Sequence, residues 1–295
     1  MLYHYLCSIL VIDSKYVTIE MENFCELLKP HEETIVRQYI GKCIHFYGGS
    51  ILWIYLSAVI IITGPVTLNQ PFPTNAEYPF QVIYEQPLKS IIFIHQSLVF
   101  IQAASQLCMN VFITLLLWII SVKFELLNEE LRSITNIHDL IHCIRKHQRL
   151  LKYAEEVIVV VRPFALTTIS LSTFALIIVG LVFITDPPLS MKMQCVGLTF
   201  SGLAEVFMYT WPAEYLIQTS GEIGQAVFDA QWYQQSIALQ KYLQMIMLKA
   251  KYPLVVSIPC VMPSLSLNYY ASYLSTIFSY FTTLRVVMQN EQNGD

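Results

Sequence analysis

Residues Pro163 to Ile184 read PFALTTISLSTFALIIVGLVFI, and none of them carries a charge. A helix needs about 20 consecutive apolar residues to cross the hydrocarbon core of a bilayer. Proline suits the first turn of a helix, because the backbone N–H that it lacks has no partner there. The stretch therefore predicts a membrane-spanning helix that begins near Pro163.

The composition of the whole chain is also that of a membrane protein. Of its 295 residues, 55% are hydrophobic and only 13% are charged, and the mean hydropathy is +0.52. Soluble domains carry about 25% charged residues. A soluble chain with so few charges would expose apolar surface, so we expect most of this one to lie in lipid. The net charge of −4 gives no reason to expect a nucleic acid as partner.

Five segments are predicted to be complete membrane spans in an all-α, polytopic fold. They lie at about 46–65, 91–121, 163–185, 193–217 and 263–289. Three prolines precede the continuous part of the last segment and predict a broken helix there, namely Pro253, Pro259 and Pro263.

The distribution of Lys and Arg predicts which segments are cytoplasmic. Segment 122–160 is the most basic of them, whereas 66–90 holds a single lysine. Segments 1–45 and 218–262 hold four and three Lys or Arg residues and are predicted to be inside, which leaves the tail 290–295 outside. Apolar residues recur at helical spacing in 122–160 and 218–262, so we expect long helices that pack together below the bilayer.

The sequence holds no motif for catalysis or metal binding. GxSxG, HExxH, a P-loop and GxGxxG are all absent. The seven cysteines are scattered without a CxxC pair, which favours free thiols that pack as small apolar side chains. We therefore predict that the chain is not an enzyme and binds neither a metal nor a cofactor.

Polar side chains within the predicted spans need partners, since such groups are costly in lipid. In span 91–121 they include His95, Gln96, Gln102 and Gln106. Three interpretations stay open for them: hydrogen bonding between helices, lining of a ligand pocket, and a proton relay. Glu205, deep in the fourth span, is interpreted as a member of the helix bundle.

Two motifs near the C-terminal end match those of a known family. Segment 279–285 reads SYFTTLR, which resembles the closing signature of the insect odorant receptors. Upstream, Ala226, Phe228 and Trp232 in AVFDAQWY match the alanine–aromatic–tryptophan spacing of that family.

Further segments extend the resemblance over most of the chain. Lys249, Lys251 and Pro253 match the basic residues and the proline that precede the last helix in the family. PFPTNAEYPF at 71–80 and HDLIHCIRKHQRLLKYAEEV at 138–157 resemble its outer and inner connecting segments. The chain is similar to the insect odorant receptors, which are inverted seven-helix ligand-gated cation channels, from about residue 20 to residue 285.

The resemblance implies a function and partners. It implies an odorant-gated, non-selective cation channel for the perception of smell, with small volatile odorants as ligands. Four subunits would surround one pore, with this chain as the odour-tuning subunit beside an olfactory co-receptor. The resemblance also implies the plasma membrane of an olfactory sensory neuron dendrite, with the N-terminal side cytoplasmic and the C-terminus extracellular.

The family pattern also predicts how the segments correspond. The five spans would be the third to seventh helices, with the fourth-helix extension at 122–160. Residues 1–45 would be the remnant of the second helix plus a cytoplasmic loop, which suggests a fragment, a mispredicted start or a degraded gene. Segment 218–262 would be the cytoplasmic anchor, and 263–289 would line the pore.

The resemblance and the depth of residues in the bundle nominate three sets of site residues. The pore or gate set is Thr276, Tyr280, Thr283, Val286 and Val287. The odorant pocket set is Trp53, Ser57, His95, Gln96, Val99, Thr199 and Leu203. The subunit anchor set is Ala226, Phe228, Trp232, Lys249 and Pro253.

Other interpretations remain open at this point. A gustatory receptor shares the fold but usually closes with a different motif, and a truncated chain could be non-functional. A polytopic membrane enzyme would show clusters of His, Asp or Glu at a membrane face, and a transporter would show internal repeats. The sequence shows neither.

Overall fold

The structure is a computed structural model and is helical through most of its described length. It describes residues 15, 17–24, 26, 29–67, 72–74, 87–134, 136–185, 188–230, 233, 236–258 and 262–294. The helices with defined bounds are α1 (Pro30–Thr67), α2 (Leu88–Arg132), α3 (Ile137–Ile184), α4 (Leu189–Gly221), α5 (Ile223–Asp229), α6 (Ile237–Ala250) and α7 (Leu267–Gly294). Residues 17–24 are helical as well. Within the described residues no strand forms, and only an isolated bridge pairs Ile258 with Met262.

Among the described residues, three helices are long and apolar enough to cross a membrane. They cover Glu32–Pro65, Leu88–Arg132 and His138–Ile184. They contain the predicted spans 46–65 and 91–121, and all but the last residue of the predicted span 163–185. The second has 45 residues. At about 1.5 Å per residue it is more than twice as long as the hydrocarbon core is thick, so it continues beyond the bilayer.

The other two predicted spans lie in α4 and α7, which are not among the three helices that are long and apolar enough to cross a membrane. Segment 193–217 lies inside α4, and α7 begins at Leu267, four residues into segment 263–289. Membrane crossing by these two segments stays a prediction. The predicted extension 122–160 is divided between the end of α2 and the first half of α3, with a turn between them.

The chain divides into two compact units. The smaller is Arg37–Ile113, and the larger combines Met1–Val36 with Thr114–Asp295. In the smaller unit, the Tyr55 hydroxyl and the Cys108 sulfur lie 3.5 Å apart and join α1 to α2. The amide of Gln96 bonds to the backbone of Thr74 in both directions, at 3.0 Å and 3.4 Å.

The larger unit is built around α3, α4 and α7. Its core includes an aromatic group in which the Trp118 ring lies 5.2 Å from that of Trp211 and 4.7 Å from that of Tyr215. Asn128 is fully buried and donates its side-chain N–H to the backbone oxygen of Thr219 at 3.1 Å. These contacts join the end of α2 to α4.

Side-chain hydrogen bonds cap the beginnings of α3 and α7. The side chain of Asn136 accepts a hydrogen bond from the backbone N–H of Asp139 at 2.9 Å, which is the usual way for asparagine to cap a helix. At α7, the Ser266 hydroxyl accepts from the backbone of Tyr269 at 3.2 Å, and Glu214 accepts from that of Leu267 at 3.0 Å.

The helical path is interrupted before α7, as the prolines predicted. Residues 253–257, which follow a turn at the end of α6, belong to no helix or strand. The backbones of Ile258 and Met262 then exchange two hydrogen bonds of 2.9 Å, and Leu265 donates to Val256 at 2.8 Å. Pro253 removes a backbone donor at this point and so favours the end of the helix. Pro259 lies outside the described residues.

Candidate pore helix and ligand cavity

The last helix, α7, packs on α3 and α4 with one face. The Tyr273 hydroxyl lies 3.1 Å from that of Thr173, and the Phe281 ring lies 5.8 Å from that of Phe183. Closer to the start of the helix, the Tyr270 ring lies 5.4 Å from that of Phe207. This face of α7 is therefore aromatic and fixed by contacts along the helix.

The pore or gate residues predicted from the sequence all lie outside the packed face. They are exposed, and they are Thr276, Tyr280, Thr283, Val286 and Val287. Thr276 donates its hydroxyl to the backbone oxygen of Ser272 at 2.8 Å, so this hydroxyl is satisfied within its own helix. An accessible strip of hydroxyls and short apolar side chains thus runs along α7.

An apolar cavity of about 450 Å³ lies between α3, α4 and α7. The lining residues are Leu176, Ile177, Val179, Gly180, Phe183, Cys195, Val196, Thr199, Phe200, Leu203, Ile277, Phe278, Tyr280, Phe281 and Leu284. No charged side chain is among them. The Thr199 hydroxyl donates to the backbone oxygen of Cys195 at 2.8 Å, which leaves Tyr280 as the polar lining group best placed to meet a ligand. This volume is typical of a small-molecule site.

Tyr280 belongs to the cavity wall and to the accessible strip of α7. Its side chain is 57% exposed, and the aromatic rings of Phe200 and Phe278 beside the cavity are exposed as well. A molecule in the cavity would therefore touch the helix that carries the predicted pore residues.

The seven predicted pocket residues do not come together in this cavity. Thr199 and Leu203 line it. The other five belong to the smaller unit, and they are Trp53, Ser57, His95, Gln96 and Val99. Gln96 is buried, and its amide bonds to the backbone of Thr74, which lies in the segment between α1 and α2. The Ser57 hydroxyl is likewise occupied, by the backbone oxygen of Trp53 at 2.7 Å.

The predicted anchor residues divide into buried and exposed members. Ala226 is fully buried in α5, whereas the Phe228 side chain is 56% exposed. Lys249 and Pro253 are also exposed. Trp232 lies outside the described residues.

Sequence reasoning did not find the contribution of α3 to the cavity. Leu176, Gly180 and Phe183 recur at helical spacing on that helix, but an apolar run within a membrane span gives no signal that separates cavity walls from lipid-facing positions. It did place Glu205 in the bundle, where the Ser172 hydroxyl donates to Glu205 Oε2 at 2.8 Å and links α3 to α4.

A family model described as 7tm Odorant receptor matches residues 20–278. The chain belongs to the insect odorant receptor family. The members of this family are membrane proteins with transmembrane helices and are not enzymes. The family match therefore favours the odorant receptor interpretation over the gustatory receptor, enzyme and transporter interpretations. The predicted family and the all-α fold class are confirmed.

Individual members of the family give the extent of the similarity. The chain is 24% identical over 151 residues to Odorant receptor Or2 of Anopheles gambiae and 26% identical over 151 residues to Odorant receptor 10 of Aedes albopictus. Each match covers 50% of this chain and 39% of the relative. The chain therefore covers well under two thirds of the length of these relatives.

The solved structures of one odorant receptor share the fold. The olfactory receptor OR5 of Machilis hrabei superposes with a TM-score of 0.75 at 15% identity, over 95% of this chain and 76% of that one. Its complex with eugenol superposes with a TM-score of 0.74 at 14% identity, over 97% and 79%. At this identity the similarity shows the fold alone.

Proposed function

We propose that this chain is the odour-tuning subunit of an odorant-gated, non-selective cation channel that acts in the perception of smell. The observation that carries the proposal is the position of Tyr280, which lines the apolar cavity and also belongs to the accessible strip of α7. A ligand in the cavity would contact the pore-lining helix directly.

The chemistry of the cavity supports a small volatile odorant as ligand. Its walls are aliphatic and aromatic, and they carry no charge. Such walls favour apolar molecules with at most one hydrogen-bonding group. The hydroxyl of Tyr280 is the group that would meet that polar atom.

Ligand binding can move α7 only if the ligand binds better to one position of the helix than to another. Phe281 and Tyr280 both line the cavity, and Phe281 is also part of the contact with Phe183. A ligand that pushes between these rings would favour a shifted position of α7. The two valines at 286 and 287 would then form the gate, because an apolar constriction blocks ions by excluding water.

The proposed assembly is a heterotetramer with an olfactory co-receptor in the plasma membrane of an olfactory sensory neuron dendrite. The N-terminal side would be cytoplasmic, and the C-terminus would be extracellular. Phe228 is a large aromatic side chain that is 56% exposed beside the buried Ala226. Exposed aromatic side chains are typical of protein interfaces, so α5 together with Lys249 and Pro253 is the proposed anchor toward the partner subunits.

The test is electrophysiological. The chain is co-expressed with an olfactory co-receptor, surface expression is verified, and currents are recorded for a broad odorant panel. We expect odorant-evoked cation currents that Leu203→Trp abolishes by filling the cavity. The matched control is Leu198→Trp, since Leu198 lies on the same helix, is 59% exposed and is not part of the cavity. An absence of current for every odorant despite surface expression would refute the proposal.

A further inference from the structure

A second, polar cavity lies far along α3 from the apolar one. Its volume is about 840 Å³, and its walls are the end of α2, the first half of α3, the helical residues 17–24 and the beginning of α1. The charged lining residues are Glu20, Lys29, Glu32, Lys123, Glu130, Arg145, Lys146 and Arg149, with His142 beside them. The volume is within the range of small-molecule sites.

Each of the three carboxylates in this cavity already has a partner. Glu20 pairs with Lys123 at 3.5 Å, and Glu130 pairs with Lys146. Glu32 accepts a hydrogen bond from the backbone N–H of Lys29 at 2.9 Å.

Lys123 is held in place from several sides. Its Nζ lies 4.3 Å from the centre of the Tyr153 ring and 4.8 Å from that of Phe24. Only 13% of its side chain is exposed. Such contacts between a cation and aromatic faces are favourable and fix the ammonium group at the inner end of the cavity.

Two arginines remain without a partner among the described residues. Arg145 and Arg149 are one helical turn apart on α3, and both are exposed. Five Lys and Arg side chains against three Glu give the cavity a formal charge of +2. A planar guanidinium binds phosphate oxygens in pairs, which makes arginine well suited to recognise phosphate groups.

We propose that this cavity binds a small molecule with several phosphate groups, held chiefly by Arg145 and Arg149. The ligand could be a phosphorylated lipid headgroup or a soluble polyphosphate. Lys123 lies two residues beyond the predicted span 91–121, and its ammonium group contacts the Tyr153 ring. Arg145 lies about two helical turns from Tyr153 along α3, a distance of about 12 Å. The cavity thus reaches away from the predicted membrane edge, and both sources could supply the phosphates. The proposal rests on the cytoplasmic orientation given under the proposed function.

The test is calorimetric titration of the purified full chain in detergent micelles. One arm uses inositol hexakisphosphate, and the other uses a short-chain phosphatidylinositol bisphosphate. We expect binding that weakens as the salt concentration rises, because the contacts are between exposed charges. Tighter binding in the first arm supports the proposal with a soluble ligand, and tighter binding in the second supports it with a lipid headgroup.

Two variants with equal charge change separate the site from general electrostatics. Arg145→Gln with Arg149→Gln is expected to weaken binding about tenfold for each arginine. Lys152→Gln with Lys241→Gln removes two exposed lysines outside the cavity and is expected to leave binding unchanged. A comparison of their thermal denaturation midpoints verifies that both variants fold.

Two outcomes would overturn the proposal. One is that neither probe binds the folded chain, and the other is that both double variants lose affinity equally. The titration requires no odorant, current or co-receptor. It can therefore fail while the proposed channel function holds, and the reverse is also true.

Discussion

The hydroxyl oxygens of Tyr273 and Thr173 lie 3.1 Å apart and connect α7 to α3. Thr173 also donates to the backbone oxygen of Ile169 at 2.6 Å, so the Tyr273 hydroxyl is positioned to donate to Thr173. Together with the ring contacts of Tyr270 and Phe281, this contact holds one face of α7 against α3 and α4.

Removal of this contact should loosen α7. We expect Tyr273→Phe to lower the free energy of unfolding by about 1 kcal/mol, because one hydrogen bond is lost while the ring stays packed. Thermal denaturation in detergent measures the change. Tyr280→Phe is the control, since Tyr280 is exposed, and an equal loss in both variants would contradict the role given to Tyr273.

Two glycines of α4 provide a second comparison. A Cβ at position 202 would lie 3.3 Å from Cγ of Leu176, whereas a Cβ at position 197 would meet nothing within 4 Å. Alanine should therefore stabilise at 197 by about 0.5–1 kcal/mol through its better helix propensity. At 202 we expect this gain to be lost to crowding. We expect a higher thermal denaturation midpoint for Gly197→Ala than for Gly202→Ala. A higher midpoint for Gly202→Ala would contradict the crowding expected beside Leu176.

The aromatic core of the larger unit should be sensitive to truncation. Trp118 is 3% exposed and contacts two other aromatic rings. Trp118→Ala should cost about 3–5 kcal/mol, as is usual for a large buried aromatic side chain. Trp53→Ala is the matched control, since 61% of that side chain is exposed. The yield of folded chain on size-exclusion chromatography measures both, and similar yields would argue against the packing described here.

The bond between Ser172 and Glu205 predicts a difference between two variants. Glu205→Gln keeps an acceptor oxygen for the Ser172 hydroxyl, so the thermal midpoint should change little. Ser172→Ala leaves the Glu205 side chain without this partner and should cost about 1–3 kcal/mol. Thermal denaturation of both variants gives the comparison. A larger loss for Glu205→Gln would mean that the carboxyl group makes a contact that the amide cannot replace.

Cys143 should be unreactive in the folded chain. It lies in the first half of α3, outside the predicted span 163–185. Burial, and then the nearby Glu130 carboxylate, raise the pKa of its thiol to about 11. Because the thiolate is the reactive form, little of it exists at neutral pH. We expect maleimide to label Cys143 only after denaturation, as measured by mass spectrometry of the modified peptides. Rapid labelling of the native chain at neutral pH would contradict this.

Several features could be predicted from particular residues. The uncharged run after Pro163 predicted part of a long helix, but the predicted beginning near Pro163 was wrong, because α3 begins at Ile137 and contains Pro163 in its interior. The prolines near 253–263 predicted the interruption before α7. SYFTTLR at 279–285 pointed to the family. The positions of the walls of the apolar cavity could not be predicted, because Leu176 and Phe183 are not distinguishable in sequence from residues that face lipid.

The depth of a residue along a membrane span is not enough to predict whether its side chain lines a ligand pocket. Gln96 was nominated by its depth, yet its amide bonds to the backbone of Thr74. Thr199 and Leu203 were nominated in the same way, and both line the apolar cavity. Tyr280, which is predicted to be a pore residue, lines the same cavity. Depth places a residue along the membrane normal, but it does not fix the direction in which the side chain points.

The sequence by itself determined the helical class, the family and the three long apolar helices, because hydropathy and short motifs are local properties of the chain. The tertiary structure alone decided that α3, α4 and α7 line an open cavity, that Tyr280 lies at its boundary, and that Arg145 and Arg149 share a cavity with Lys123. These relations depend on the rotation and tilt of each helix. Both are set by side-chain packing between residues as far apart along the chain as Thr173 and Tyr273.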